Sequence, residues 1–264
     1  MNSKTFLSCI FTIALSMQIE AQNKHSGIPP EVSPMPMKPE MTEIWEPEVG
    51  VVTPAKTLGD APSDAIILFD GSNLDQWASQ KDNTLAAPWK IVDNDHFEVV
   101  PGTGGISTKM KFGDCQIHIE FSAPDVVEGH SQGRGNSGLF LQNRYELQIL
   151  DSYNNRTYRN GQAGSIYKDH APLVNAMRSP LEWNTYDIIY TAPTFKKDGT
   201  YRTQPVVTVL HNGILIQNGT TILGTTPFIG LPQVKPHGDG PIRLQAHGDK
   251  SEPISFRNIW IREL

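Results

Sequence analysis

A side-chain period of two runs through this chain and limits the folds open to it. Cys115, Ile117, Ile119 and Phe121 alternate with Gln116, His118 and Glu120, as expected of a half-buried strand. Val207, Val209 and His211 alternate with Val206, Thr208 and Leu210, and Asn212-Gly213 then leads straight into Ile214-Leu215-Ile216. That pattern predicts a hairpin turning on Asn-Gly. Ile242, Leu244 and Ala246 alternate with Arg243, Gln245 and His247. Ile254 and Phe256 have one parity while Ile259 and Ile261 have the other, so a bulge is expected near Arg257-Asn258. Trp183 to Tyr190 is a further aromatic and β-branched run. No stretch carries a long 3.6-residue period. Short strands separated by Gly, Pro and Asn turns predict an all-β sandwich or jelly roll.

The ends of the chain divide differently. Lys4, the apolar run Phe6 to Met17 and the small residue Ala21 predict an export signal over residues 1–21, placing the protein in a periplasm or outside the cell. Cys9 lies inside that run, so removing the segment leaves Cys115 as the single cysteine of the chain, expected in the core. Residues 22–62 hold eight of the 20 prolines and are expected to be a linker and strap. The half up to Met41 reads as a spacer. The half with Ile44, Trp45, Val49, Val51 and Val52 reads as an extended strap along the globular domain of residues 63–264. A net charge of −6 argues against a nucleic-acid partner. No apolar run reaches the roughly 18 residues of a membrane span.

The stretch richest in chemistry is Asn136 to Leu141, then Asn143-Arg144, then Tyr145 to Asp151. It is expected to form two strands joined by a two-residue loop, with Leu141 opposite Glu146 and Leu139 opposite Gln148. Glu146 and Gln148 then share a face, with Cα atoms about 7 Å apart from the strand rise. Asp151 has the opposite parity and reaches that face only through a bulge or at the strand end. Such a row is either a plain solvent face or the lining of a cleft. Arg243, Gln245 and His247 form a second polar row, and Asn136-Ser137 precede a glycine that marks close approach or a bend.

Other features are weaker. Gly102-Thr-Gly-Gly105 before Thr108-Lys109 has the wrong spacing for a phosphate loop and is expected to be a turn. His-Gly-Asp at His237 and His247 reads as turn chemistry, with joint metal ligation as the alternative. Gly-x-Ser-x-Gly is absent, which disfavours a serine hydrolase.

These residues also resemble a known family, the secreted bacterial 3-keto-disaccharide hydrolases. The resemblance rests on Leu68-Phe-Asp-Gly71 with Trp77, Gly105-Ile-Ser-Thr-Lys109, Asn136-Ser-Gly138, Tyr145-Glu-Leu-Gln-Ile-Leu-Asp151 and Gly164-Ser-Ile-Tyr167. It continues through Glu182-Trp-Asn-Thr-Tyr186, His211-Asn-Gly213, Leu244-Gln-Ala-His-Gly248 and Phe256-Arg-Asn-Ile-Trp260. It implies a concanavalin A-like jelly-roll sandwich of two antiparallel sheets, with a sheet face that holds a sugar. On that face or its rim it implies Glu146, Gln148, Asp151, Lys109 and His247; Asn136, Tyr167, Gln245 and Arg257 are further candidates for binding substrate.

Related jelly-roll glucanases carry Glu-x-Asp-x-x-Glu, where this chain has Glu146-x-Gln148-x-x-Asp151. A retaining glycosidase needs two carboxyl groups about 5–5.5 Å apart, and Gln148 cannot serve as one. A 3-keto-glycoside needs less. Its ketone acidifies the C2 proton, so one base can form an enolate, the C1 substituent leaves, and water adds to the enone. In that scheme Glu146 is the base, or His247 is the base with Glu146 orienting it. Lys109 or Arg257 stabilises the enolate, and Gln148 and Asn136 bind hydroxyls. No cofactor is required, although a divalent metal could replace the cation. The expected partner is a glycoside or oligosaccharide. A non-catalytic sugar-binding module and a β-glucan hydrolase using Glu146 and Asp151 are the alternatives.

Overall fold

The structure, a computed structural model, describes residues 36–248 and 253–264. The expected export signal lies outside them. The chain forms two units that divide after Val51. In the described part of the first, Pro39–Met41 make one 3-10 turn. Ile44, Trp45, Val49 and Val51 are each at least 79% exposed. So short a proline-rich stretch cannot enclose its own apolar groups.

The second unit is a β-sandwich. In chain order its strands are β1 (Ile66–Phe69), β2 (Trp77–Ser79), β3 (Lys90–Val92), β4 (His96–Glu98), β5 (Ile106–Thr108), β6 (Cys115–Ser122), β7 (Asn136–Leu141) and β8 (Tyr145–Leu150). There follow β9 (Trp183–Thr191), β10 (Thr194–Phe195), β11 (Tyr201–Thr203), β12 (Val206–His211), β13 (Ile214–Thr221), β14 (Arg243–Leu244) and β15 (Ser255–Glu263). An eight-stranded sheet runs β13-β12-β9-β6-β15-β4-β3, with β1 also on β15, and a five-stranded sheet runs β2-β5-β14-β7-β8. All pairings are antiparallel. The jelly-roll sandwich expected from the sequence is the fold found.

Alternation decides which side chains meet between the sheets. Ile117, Ile119 and Phe121 of β6 and Leu139, Leu147 and Leu244 of the smaller sheet are fully buried. Asn212 and Gly213 turn the β12–β13 hairpin with φ of 53° and 76°. The β15–β6 register breaks between Arg257 and Trp260, with Asn258 at φ 44°, so the expected bulge is present. Cys115 is buried, and burial, helped by the Asp114 and Glu263 carboxylates, pushes its thiol up to about 12.

Residues 52–62 lie along the outer face of the eight-stranded sheet, around a cavity of about 890 Å³. The Gly59 carbonyl accepts hydrogen bonds from Trp260 Nε1 at 2.8 Å and Asn258 Nδ2 at 3.0 Å. A Cβ on Gly59 would stand 3.3 Å from His118 Nε2, and its φ is +92°. Alternation assigns His118 to a polar face, yet it is buried under this segment and stacks on Trp260. Its Nδ1 lies 2.6 Å from Asp187 and its Nε2 lies 3.7 Å from Glu120.

Burial alone would lower the His118 pKa, but bonding to Asp187 and Glu120 outweighs it and raises the value from 6.5 to about 9. Glu120 is held down to about 2, because bonds from His118, Asn258 and Arg257 outweigh its burial. The stabilisation from charged His118 is complete below its unfolded pKa and is lost as pH rises through its folded one. Denaturation at about pH 6 and about pH 10 is expected to differ by roughly 2–3 kcal/mol from this group. His118→Gln should flatten that part of the pH profile, and an unchanged slope would show that this cluster does not hold the segment.

Candidate active site

A smaller cavity, about 330 Å³, opens on the face of the five-stranded sheet turned away from the core. Its walls include Glu146, Gln148, Asn136, Arg243, Gln245 and His247. The two polar rows expected to share a face therefore meet. The cause is strand order, because β14 pairs with β7, and Arg243 stands opposite Phe140, which stands opposite Glu146.

The hairpin register differs from the expected one. Gln142 and Asn143 both take left-handed backbone, with φ of 50° and 56°, and the loop consumes three residues rather than two. Tyr145 thus pairs with Leu141, Glu146 with Phe140, and Gln148 with Gly138. The shift puts a glycine beside the acid, and a Cβ on Gly138 would stand 2.6 Å from Glu146 Oε1.

Glu146 is half-buried, with residues 164–167 running along the free edge of β8. Tyr167 N–H donates to the Glu146 carbonyl at 2.9 Å, and Gln148 N–H donates to the Ser165 carbonyl at 2.9 Å. Burial raises the Glu146 pKa from 4.5 to about 7, against the opposing charges of Arg243 and His247. Arg243 lies flat on the Phe140 ring, 3.3 Å from its centroid. Burial lowers its pKa to about 10, opposed by Glu146, so it remains a cation at neutral pH.

Among the described residues Arg243 Nε and Gln245 Oε1 are buried with no hydrogen-bond partner. Groups left so in a native cavity point to a polar ligand. The Gln148 amide donates to Gln132 Oε1 at 3.1 Å and Asn136 Oδ1 at 3.3 Å. Turned over, its nitrogen comes 3.3 Å from Glu146 Oε1, so the amide can face either way across the floor. The Tyr167 hydroxyl accepts from Tyr158 at 2.9 Å. Burial, that bond and nearby Glu146 all push its pKa up.

Three expected site residues stand elsewhere. Lys109 follows β5 and borders a separate cavity of about 560 Å³ with Lys81 and Lys111, because β14 and β7 separate β5 from β8. Arg257 belongs to the eight-stranded sheet, bonded to Glu120 at 2.7 Å and stacked on Trp183. Asp151 is buried with its carboxylate held by Arg134 Nε at 2.7 Å and the Tyr153 N–H at 3.1 Å. Its parity kept it off the Glu146 face. Arg243 is the cation that the cavity contains, a role the sequence reading gave to Lys109 or Arg257. Its signal was the parity it shares with Gln245 and His247.

His237 bonds to Tyr145 at 2.8 Å and lines a different cavity from His247. Among the described residues no three His, Cys, Asp or Glu side chains gather as metal ligands. The larger cavity beneath residues 52–62 has its His118, Glu120 and Asp187 paired with one another, whereas the Glu146 cavity keeps polar atoms without protein partners.

A candidate glycosyl hydrolase from Parabacteroides distasonis is 61% identical, with 86% of this chain and 97% of that one covered at a TM-score of 0.82. A second from the same organism is 24% identical, covering 76% and 99% at a TM-score of 0.50. A third is 19% identical, covering 76% and 94% at 0.53. These last two support the fold alone. No curated protein matches. Residues 64–262 match the 3-keto-α-glucoside-1,2-lyase-like domain, and the chain belongs to that family.

Proposed function

We propose that this glycosyl hydrolase-like protein is an exported enzyme that cleaves 3-keto-glycosides through an enolate, with Glu146 as the base. The export signal expected from the sequence of residues 1–21 supports the location. The observation that carries the chemistry is a half-buried, desolvated carboxyl, titrating near 7, beside a cation with an unpartnered buried N–H. A general base works best when its pKa lies near the operating pH. Asp151, the other carboxylate of the stretch, is engaged by Arg134, which disfavours a two-carboxylate glycosidase.

In the proposed cycle Glu146 takes the C2 proton, and the electron pair moves onto the C3 oxygen. The guanidinium of Arg243 stabilises that enolate. The ketone then reforms as the C1–O bond breaks, and the departing oxygen takes a proton from the Glu146 carboxylic acid. Water adds hydroxyl to C1 and hydrogen to C2 of the enone, giving the free 3-keto sugar. Gln148, Asn136 and Gln245 hold sugar hydroxyls.

Proton NMR in deuterated water with a 3-keto-glucoside tests this scheme. Deuterium at C2 and release of the aglycone are expected. Line-broadening of an unchanged ligand would instead identify a sugar-binding module, and reducing sugar from unoxidised glucan would identify a β-glucanase.

Gly138→Ala probes the same site from behind. The added methyl meets the end of the Glu146 side chain and the Phe140 ring edge, so the carboxyl should move rather than the sheet. Turnover is expected to fall roughly 10²-fold, as for a misplaced reacting group, with little change in melting temperature. Wild-type turnover would show that the carboxyl position is not critical.

A further inference from the structure

Residues 223–234 leave β13 and return as a flap. Thr225 and Gln233 exchange two backbone hydrogen bonds of 2.9 Å at its neck. Residues 167–169 clamp it, and of these Tyr167 also walls the Glu146 cavity. Leu223 N–H donates to Asp169 Oδ2 at 2.8 Å, Thr226 Oγ1 donates to the Tyr167 carbonyl at 2.6 Å, and Lys168 Nζ donates to the Phe228 carbonyl. The flap apex is nevertheless apolar and open to solvent. Phe228, Ile229 and Leu231 are 73%, 83% and 83% exposed. Phe228 itself lines the cavity, and the Lys168 ammonium sits 4.2 Å from its ring centroid. A ring fixed at its carbonyl and by a cation, yet largely exposed, is a preorganised stacking surface.

The cavity floor is polar and, at about 330 Å³, lies at the small end of ligand pockets. It suits one sugar ring. Whatever is attached at C1 must leave through the mouth, where it meets the flap. We propose that the flap is an aglycone subsite, centred on Phe228 and extended by Ile229 and Leu231, that selects 3-keto-glycosides carrying an aromatic or extended apolar aglycone. This inference rests on the 3-keto-glycoside reading above. Exposed apolar side chains clustered in this way mark a binding surface, and continuity with the cavity makes the aglycone its occupant.

The test uses the Glu146→Gln variant, which should bind without turnover. Calorimetric titration compares phenyl and methyl 3-keto-glucosides of one anomeric configuration with a 3-keto-disaccharide. The phenyl glycoside is expected to bind about 10-fold tighter than the methyl one. Adding Phe228→Ala should cut that ratio to about 3-fold or less, and Leu231→Ser should lower it by a smaller factor. Equal binding of phenyl and methyl glycosides overturns the inference, as does a ratio that neither flap substitution moves. Tightest binding of the disaccharide overturns it too, assigning the rim to a second sugar. Phenyl-selective binding with no C2 exchange in the wild-type protein would uphold the subsite while removing the enzymatic reading.

Discussion

Glu146→Gln is expected to reduce turnover of a 3-keto-glycoside by about 10³-fold, within the span typical of acid–base residues, and to make the protein more stable. Both effects come from one half-buried, desolvated carboxyl. It titrates near 7 in the fold against 4.5 in the open chain. Between those values the folded protein binds more protons than the unfolded one, so stability falls as pH rises. Above that window the ionised group costs up to about 3 kcal/mol. Glutamine keeps the shape and removes the charge. Its melting temperature should exceed that of the wild type near pH 8 and match it near pH 4. The kcat/KM of the wild type should rise with pH through about 7 as the carboxylate forms, and the variant should lose that limb. An inactive variant with a lowered melting temperature would make Glu146 a structural residue. An active one would remove it from the mechanism.

Arg243→Met should also be severe, with a loss of about 10²–10³-fold in kcat from removing a preorganised donor at the developing oxyanion. A second readout separates this role from a packing defect. The Arg243 charge holds the Glu146 pKa down against burial, so the pH midpoint of the residual activity should move upward. Arg243→Lys should recover only part of the rate. Lysine restores a charge but neither the flat contact with Phe140 nor the Nε–H donor. A midpoint that stays fixed in Arg243→Met would sink the assignment, since no packing change removes a charge without shifting its neighbour's titration.

Both predictions concern residues whose shared face was legible in the sequence. Glu146 and Gln148, like Arg243, Gln245 and His247, sit two apart in strands, and a period of two places such residues on one side whatever the fold. The alternation of Cys115 to Phe121 and the Asn212-Gly213 turn were legible for the same reason, because both are local backbone properties. The resemblance carried across Tyr145 to Asp151 and Leu244 to Gly248 supplied the jelly roll.

What escaped the sequence is set by contacts between distant segments. The loop of the β7–β8 hairpin takes three residues because Gln142 and Asn143 both turn left-handed, and that single residue decides that Gly138 lies beside the acid. Arg243 reaches the base because β14 inserts between β5 and β7, strands far from it in the chain. The same insertion keeps Lys109 away. His118 has the parity of a polar face but is buried by residues 52–62, and Phe228 reaches the cavity through a flap without strand periodicity. Which side chains share a face, and that the chain is a β-sandwich, can thus be read from local patterns, since alternation is a property of each strand alone. Which faces meet, and which cation stands by Glu146, follow from the packing of the whole domain. That packing also sets the degree of burial, which gives that carboxyl its pKa, because these depend on strand order and on desolvation by segments remote in sequence.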